Sequence, residues 1–359
     1  MSKLPQKAVP MRLLVFRFSA MGDVALLVPV IRAVLVQYPQ VEIDLVTRPK
    51  FAIFFHGIAR LSVIAINFDQ DYKGVTGLFK LYCQLRQQRY DYLIDQHQNL
   101  RTTLLKFYFQ LSGVKAVTIN KGRSEKKVLT RVHNKIHRPL PHTTERYFAT
   151  FARIGLSTTL GAPPYIQASQ EGEVAAEAFL KANRLLQTKR FWLGIAPFAQ
   201  HANKIWGLHK IKALLTLLPS DIKVFLFGGG KKECSLIEDI HQKFPQKTII
   251  VAGKLPLAAE LALIKKLDKM LTMDSSNMHL AALLGVPTVS IWGATHPHAG
   301  FSALQQPEEN TIQIPLEQLP CRPCSIFGNK PCLRGDKACM EWIEAEEVLA
   351  HIVAIHNSN

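Results

Sequence analysis

Several things this sequence does not have narrow its function before any motif is considered. No apolar run reaches the roughly 20 residues of a membrane-spanning helix. No GxGxxG or Walker loop follows any of its strand-like segments. The glycine-rich FGGGKKE (Phe227 to Glu233) fits neither pattern, which weighs against a nicotinamide-dependent oxidoreductase. Aromatic residues are not interleaved with the basic ones, as a platform for single-stranded nucleic acid requires, so no nucleic-acid partner is expected. Cysteine is sparse outside one C-terminal cluster, with only Cys83 and Cys234 elsewhere. Acidic residues are scarce in the first half. Residues 1–170 hold 24 Lys and Arg against 9 Asp and Glu, whereas residues 171–359 hold 20 against 18. An excess of this kind suits an anionic partner, such as a phosphorylated glycolipid or an acidic membrane. It also leaves room for a non-catalytic polyanion-binding protein. Lys3, Lys7 and Arg12 precede LLVF in the manner of a secretion leader, but Arg17 and Asp23 interrupt the apolar stretch and no cleavage pattern follows. The expected location is the cytoplasm, with the inner face of its membrane as a place of work.

What is present is a long alternation of strand and helix patterns over 359 residues, enough for two domains with separate cores. Strands are predicted at Leu13 to Phe18, Val41 to Val46, Val63 to Phe68, Tyr92 to Asp95 and Val117 to Asn120. A basic segment, Lys121 to Arg138, follows. One helix is predicted over Val24 to Tyr38, with a kink or late start at Pro29. The stretch Gly161-Ala162-Pro163-Pro164 marks a linker, and a second series of strands begins at Trp192. We therefore expect an α/β protein of two doubly wound Rossmann-like domains facing across a cleft. The boundaries are residues 1–165, residues 166–342, and a terminal helix within 343–359 whose packing partner the sequence leaves open.

Function should gather at the carboxyl ends of the strands. The stretch Lys269 to Pro297 reads strand, Asp274-Ser275-Ser276, helix, Gly285, strand. Its hydroxyls and first-turn amides, with His279 one turn further on, form a spot suited to a phosphate. Lys204, in the loop Ala196 to Gly207, is a natural partner for a diphosphate, and Trp206 can pin that loop. Asp23, in RFSAMGD, is either a helix cap or a general base. Glu233 can accept hydrogen bonds from ribose hydroxyls. Asp69-Gln70-Asp71 has the spacing of a metal-holding DxD but sits in a polar loop. Cys321, Cys324, Cys332 and Cys339 are candidates for structural zinc, beside the alternatives of two disulfides or packed free thiols. Arg48, Arg101, Arg123, Arg131, Arg138 and Arg146 supply cations for carboxylates or phosphates.

Taken together, RFSAMGDVALLVPVIRAV (17–34), DQHQNLR (95–101), NKIWG (203–207) and MDSSNMHLAALLGVPTVSIWGATHP (273–297) resemble glycosyltransferase family 9, the ADP-heptose:lipopolysaccharide heptosyltransferases. The resemblance implies a GT-B fold with the acceptor domain first and the nucleotide-sugar domain second. It also implies an inverting reaction with no metal or other cofactor, an ADP-sugar donor and an anionic glycolipid acceptor. Carried over residue by residue, Asp23 takes the catalytic-base position. Lys204, Glu233, Asp274, Ser275, Ser276 and His279 take donor-binding positions. Arg101, Arg123 and Arg146 fall near acceptor-binding ones, to which Arg48 is added as a basic residue following a first-half strand. This sequence departs from the family pattern at Ser276, where glycine is usual, and at Gly293-Ala294-Thr295-His296-Pro297, which lacks the usual acidic residue.

Overall fold

The computed structural model describes residues 10–186 and 191–353, and within it the chain parts into two compact units. The first unit runs up to Lys121 and takes in Thr143–Gln167. The second holds Gly122–His142 and the chain from Ala168 onward.

In the first unit, β1 (Met11–Phe16) leads into a short α1 (Met21–Ala25) and then α2 (Leu27–Gln37). The helix predicted as one piece is broken at Leu26. Pro29 falls in the first turn of α2, where its missing amide has no intrahelical bond to make. There follow β2 (Val41–Thr47), β3 (Leu61–Ala65), α3 (Gly74–Leu85), β4 (Tyr92–Asp95), α4 (Leu100–Leu111) and β5 (Lys115–Thr118). The next helix, α5 (Arg123–Leu129), lies in the part that belongs to the second unit, and α6 (Thr143–Ala152) returns to the first. The sheet is parallel throughout, in the order β3-β2-β1-β4-β5. Strands such as β1 read as continuous apolar runs because both faces are covered. On one face Phe16, Phe18, Leu78, Leu81, Leu105 and Phe109 lock α3 and α4 onto the sheet.

The second unit continues with α7 (Gln170–Ala182), β6 (Phe191–Ala196), α8 (Leu208–Leu217), β7 (Ile222–Leu226), α9 (Gly230–Lys243), β8 (Thr248–Ile250) and α10 (Leu257–Ile264). It is completed by β9 (Lys269–Met273), α11 (Ser276–Leu283), β10 (Thr288–Ile291), β11 (Thr311–Ile312), α12 (Ala338–Glu341) and α13 (Ala345–Val353). Its parallel sheet has the order β11-β10-β9-β6-β7-β8. Helix α11 ends as its sequence implies. Gly285 is left-handed (φ +81°), and the amides of Gly285 and Val286 cap the carbonyls of Ala282 and Ala281. The terminal helix packs into the core of this unit through Val348 and Ile352, beside α8. The part of the expected 343–359 helix region after Val353, and the leader-like residues before Pro10, lie outside the described residues.

Each sheet reverses its strand order once, at β1/β4 in the first unit and at β6/β9 in the second. At such a switch point the neighbouring loops diverge and leave a crevice at the carboxyl edge. The loops that carry the sequence motifs leave from these four strands. Among the described residues no helix is long and apolar enough to cross a membrane.

The basic segment corrects the reading of charge by halves. Gly122–His142 carries six Lys and Arg against one Glu, and it packs with the second unit, not with the strands that precede it. Its Leu129 and Leu140 join Ala299 in a small cluster, and the Leu140 amide donates to the His298 carbonyl at 2.9 Å.

Candidate functional site

In the second unit, the β6 loop and the β9 loop meet on an ion pair. Lys204 Nζ lies 3.1 Å from Asp274 Oδ2, and both side chains are largely buried. The Thr295 hydroxyl, from the loop after β10, donates to the same oxygen at 2.8 Å. Trp206 fixes the lysine loop. Its side chain is fully buried, and its indole N–H donates to the Ile343 carbonyl at 3.0 Å. Burying a side chain of that size accounts for roughly 2–3 kcal/mol, enough to hold a short loop in one conformation. Gly207 then turns the chain into α8 with φ +103°, a region closed to other residues without strain.

Beside the ion pair, α11 begins. Ser275 is its N-cap but makes no side-chain capping bond, and its hydroxyl is 3.1 Å from that of Thr272. Ser275, Ser276 and Asn277 are half-buried, so the first-turn amides, the Ser276 hydroxyl and the Lys204 ammonium share one rim. His279 is buried within α11. Glu233 lies in the first turn of α9, where its Oε2 accepts from the Gly229 amide at 2.8 Å and its other oxygen remains for a ligand.

In the first unit, Asp23 is in the first turn of α1, but capping is its minor contact. The Ala20 amide reaches Oδ2 at 3.4 Å, whereas Arg17 Nη2 is 2.5 Å from the same atom. Arg17 is itself buried and donates through Nη1 to the Gln96 carbonyl, the loop after β4. Burial works against its charge. The facing Asp23, the Tyr147 hydroxyl and Asp95 outweigh that and hold its pKa above the ordinary value. Tyr147 donates to the Asp23 carbonyl at 3.0 Å, so α6 buttresses the turn. Both side-chain contacts fall on Oδ2, leaving Oδ1 for another partner. Around this carboxylate, Arg17 Nε, Asp95 Oδ2, Gln96 Oε1 and His97 Nδ1 are buried without hydrogen-bond partners in the protein. Burial, followed by Arg17 and Lys121, pushes His97 down to about 3, so its ring is neutral at physiological pH.

The candidate arginines divide. Arg48 Nη1 and Arg101 Nη2 converge on Asp69, at 3.6 and 3.3 Å, and Arg101 also stacks over Phe68. Arg146 is buried in α6 and donates to the Asn120 carbonyl. Arg123 is exposed at the start of α5 and belongs to the other unit. Asp69 thus serves as an arginine partner in a turn, in keeping with a polar loop over a DxD metal site.

The structural zinc predicted at Cys321, Cys324, Cys332 and Cys339 is not supported. The four thiols line one small cavity with Asn203 and Lys330. Yet among the described residues no group of three or more His, Cys, Asp or Glu side chains is disposed to hold a metal ion. Other bonds tie this loop together. Arg322 is fully buried and donates to the carbonyls of Trp292, Gly293, Ile314 and Thr295, and Lys135 binds those of Pro320, Cys321 and Pro323. The Cys324 thiol donates to the Cys321 carbonyl. Burial first, and neighbouring thiols after it, pushes Cys324 up to about 11. The six cysteines are free thiols.

A comparison with known proteins decides what these two rims belong to. Residues 78–326, more than half of the chain, match the family model described as glycosyltransferase family 9 (heptosyltransferase). The chain belongs to glycosyltransferase family 9. It is 25% identical over 294 residues to the lipopolysaccharide core heptosyltransferase OpsX of Haemophilus influenzae, covering 80% of each chain. Identity to lipopolysaccharide heptosyltransferase 2 of Escherichia coli is 24% over 299 residues, covering 80% of this chain and 84% of that one. Among solved structures, a family 9 glycosyltransferase from Veillonella parvula superposes with a TM-score of 0.74 at 17% identity, over 97% of this chain and 98% of that one. The E. coli ADP-heptose heptosyltransferase II gives 0.69 at 20%, over 97% and 99%. The family 9 chain is therefore an enzyme of glycosyl transfer with the GT-B type of fold. That sets aside the oxidoreductase and the non-catalytic polyanion binder.

Sequence reasoning missed Arg17, Tyr147 and Thr295. Arg17 was visible as a charge at the end of an apolar strand, where only a paired cation is tolerated. Thr295 stood inside the departing GATHP motif. Nothing in the sequence signalled Tyr147.

Proposed function

We propose that the protein is an inverting, metal-independent heptosyltransferase that moves a heptose from an ADP-sugar to a lipopolysaccharide or lipooligosaccharide core acceptor. The work is done in the cytoplasm at the inner face of the membrane. Its curated relatives are named for lipopolysaccharide or lipooligosaccharide heptosyl transfer, and solved neighbours were crystallised with ADP and with ADP-2-deoxy-2-fluoro heptose. The observation that carries the reading is the rim where Lys204, held by Asp274, stands beside the uncapped start of α11. That arrangement suits a diphosphate without a metal ion. Glu233 Oε1 takes a ribose hydroxyl.

The acceptor hydroxyl oxygen attacks the anomeric carbon as the bond from that carbon to the β-phosphate oxygen breaks, and the configuration inverts. The hydroxyl proton passes to Asp23 Oδ1, while Arg17 holds Oδ2 and so aims the carboxylate. The ring passes through an oxocarbenium-like state, as in glycoside cleavage, and ADP departs with both bonding electrons. The negative charge growing on its phosphate is met by the Lys204 ammonium and the α11 amides. Arg48, Arg101, Arg123 and Arg146 meet the acceptor's anionic groups.

The test is a donor screen on purified protein, reading thermal stabilisation and transfer with ADP-heptose against UDP- and GDP-sugars, with and without EDTA. Stabilisation and transfer with the ADP-sugar, undiminished by EDTA, are expected. Selective stabilisation by UDP- or GDP-sugars overturns the donor, and loss of turnover in EDTA revives Asp69 and Asp71 as a metal site.

A further inference from the structure

Helix α4 is apolar on two opposite sides. Leu105 and Phe109 face the core, where they are fully buried. Half a turn round, Leu100, Phe107 and Leu111 point outward, 90%, 53% and 72% exposed. Their spacing of seven and four residues keeps them on one stripe of the helix. The neighbouring α3 adds Val75 and Phe79, 62% and 51% exposed, and Phe79 packs edge-on against Tyr108 of α4 at 5.5 Å. Phe107 also packs against Tyr108, at 6.1 Å, so the exposed apolar side chains of the two helices are joined through that ring, above a core that α3 and α4 already complete. A surface of that kind marks a partner.

The charge around it says which partner. Neither helix contains an Asp or Glu, and exposed Lys73, Lys80 and Lys115 flank them. Both helices begin at the carboxyl edge of the sheet. Leu100 at the start of α4 is therefore chain-adjacent to Arg101, which shares Asp69 with Arg48.

We propose that this face of α3 and α4 docks the first unit on an acidic lipid bilayer. Leu100, Phe107, Leu111, Val75 and Phe79 enter the boundary of headgroups and acyl chains, and the flanking lysines meet lipid phosphates. The proposal rests on the reading that the acceptor is a glycolipid. Docking there brings the anionic sugars of a membrane-anchored acceptor level with Arg48 and Arg101, while its acyl chains stay in the bilayer.

The experiment compares the whole protein with the double variant Phe107→Ser/Leu111→Ser, both positions being exposed and outside the core. Binding is measured by co-sedimentation with phosphatidylglycerol-rich vesicles, with pure phosphatidylcholine vesicles, and at rising salt. We expect binding to the anionic vesicles only, weakened by salt, and reduced about tenfold or more in the double variant. Thermal stabilisation by ADP and transfer to a delipidated, water-soluble acceptor should be unchanged. Equal binding of both proteins to anionic vesicles overturns the proposal, as does no vesicle binding by the wild type. So does a wild-type dimer in ultracentrifugation that the double variant splits, since the face is then a contact between copies. Failure of ADP binding and transfer in both proteins sinks the functional reading instead and leaves the vesicle result standing.

Discussion

The two units solve the same problem with opposite charges. The first presents a carboxylate and fixes it with a buried cation. Asp23 is 29% exposed, while its partner Arg17 is 6% exposed. The second presents a cation and fixes it with a buried carboxylate, Lys204 against Asp274, with neither more than 13% exposed. In the second unit the pair itself ties the loops after β6 and β9. In the first both partners follow β1, and it is the Arg17 bond to the Gln96 carbonyl that reaches the loop after β4. In each unit the switch point that creates the crevice also charges it. The difference lies in what removal leaves behind. Arg17 retains the Gln96 carbonyl without Asp23, and Asp274 retains the Thr295 hydroxyl without Lys204. On the proposed mechanism, the first loss strikes the group that takes the acceptor's proton and the second the group that meets the leaving charge.

Asp23→Asn breaks the comparison most sharply. The amide keeps the shape and can still accept from Arg17, but it cannot take a proton. Transfer should fall by about 10²–10⁴, with ADP affinity close to wild type and thermal stability lowered, because the buried Arg17 loses its counter-charge. Turnover near wild type in Asp23→Asn would remove the carboxylate from the chemistry altogether. Lys204→Met is the counterpart. It should weaken ADP binding and slow turnover together. It should also cost about 1–3 kcal/mol of stability by leaving Asp274 short of a partner in a largely buried site. A slower turnover with unchanged ADP affinity would place Lys204 on the transition state alone. The two variants thus separate proton transfer from leaving-group stabilisation, provided both kcat and ADP binding are followed.

How far these pairs were legible in the sequence depends on the residue. Asp23, Lys204 and Asp274 each follow an apolar run, and strand ends in an alternating α/β chain are where ligand groups collect, so their positions could be read. Their partners could not be assigned, because pairing is a property of which strands are neighbours. The order β3-β2-β1-β4-β5 brings Arg17 beside Gln96, 79 residues away. The segment Gly122–His142 defeated the sequence for a related reason. Its one short helix carries mostly charge, so no periodic apolar face announced that it packs with the second unit. The four-cysteine cluster failed differently. Its spacing counts thiols, but the bonds that order the loop come from Arg322 and Lys135, and Lys135 lies 186 residues from Cys321. Long apolar strands and glycine-terminated helices were the most readable parts, since their signals are local.

The smallest effect concerns acid, and it contrasts the units again. His97 in the first unit and His296 in the second are both pushed down to about 3, chiefly by burial. A histidine that stays neutral in the folded protein, but is protonated below about 6.5 once unfolded, leaves stability intact above 6.5. It takes stability away as pH falls from there toward 3, by up to about 1.4 kcal/mol per pH unit for each group. The second unit carries an opposing group. Burial raises Glu260 to about 7, so the folded protein holds a proton there that the unfolded chain releases above about 4.5. Its contribution is complete below 4.5 and is lost as pH rises through 7. Between pH 7 and 4.5, Glu260 therefore offsets His296, while His97 has no such counterweight among the shifted groups of its unit. Urea unfolding followed across that range should show Glu260→Gln steepening the acid loss and His97→Gln flattening it. The same slope in wild type and His97→Gln would mean that the ring is protonated in the folded protein, and that the neutral imidazole beside Asp23 is wrongly assigned.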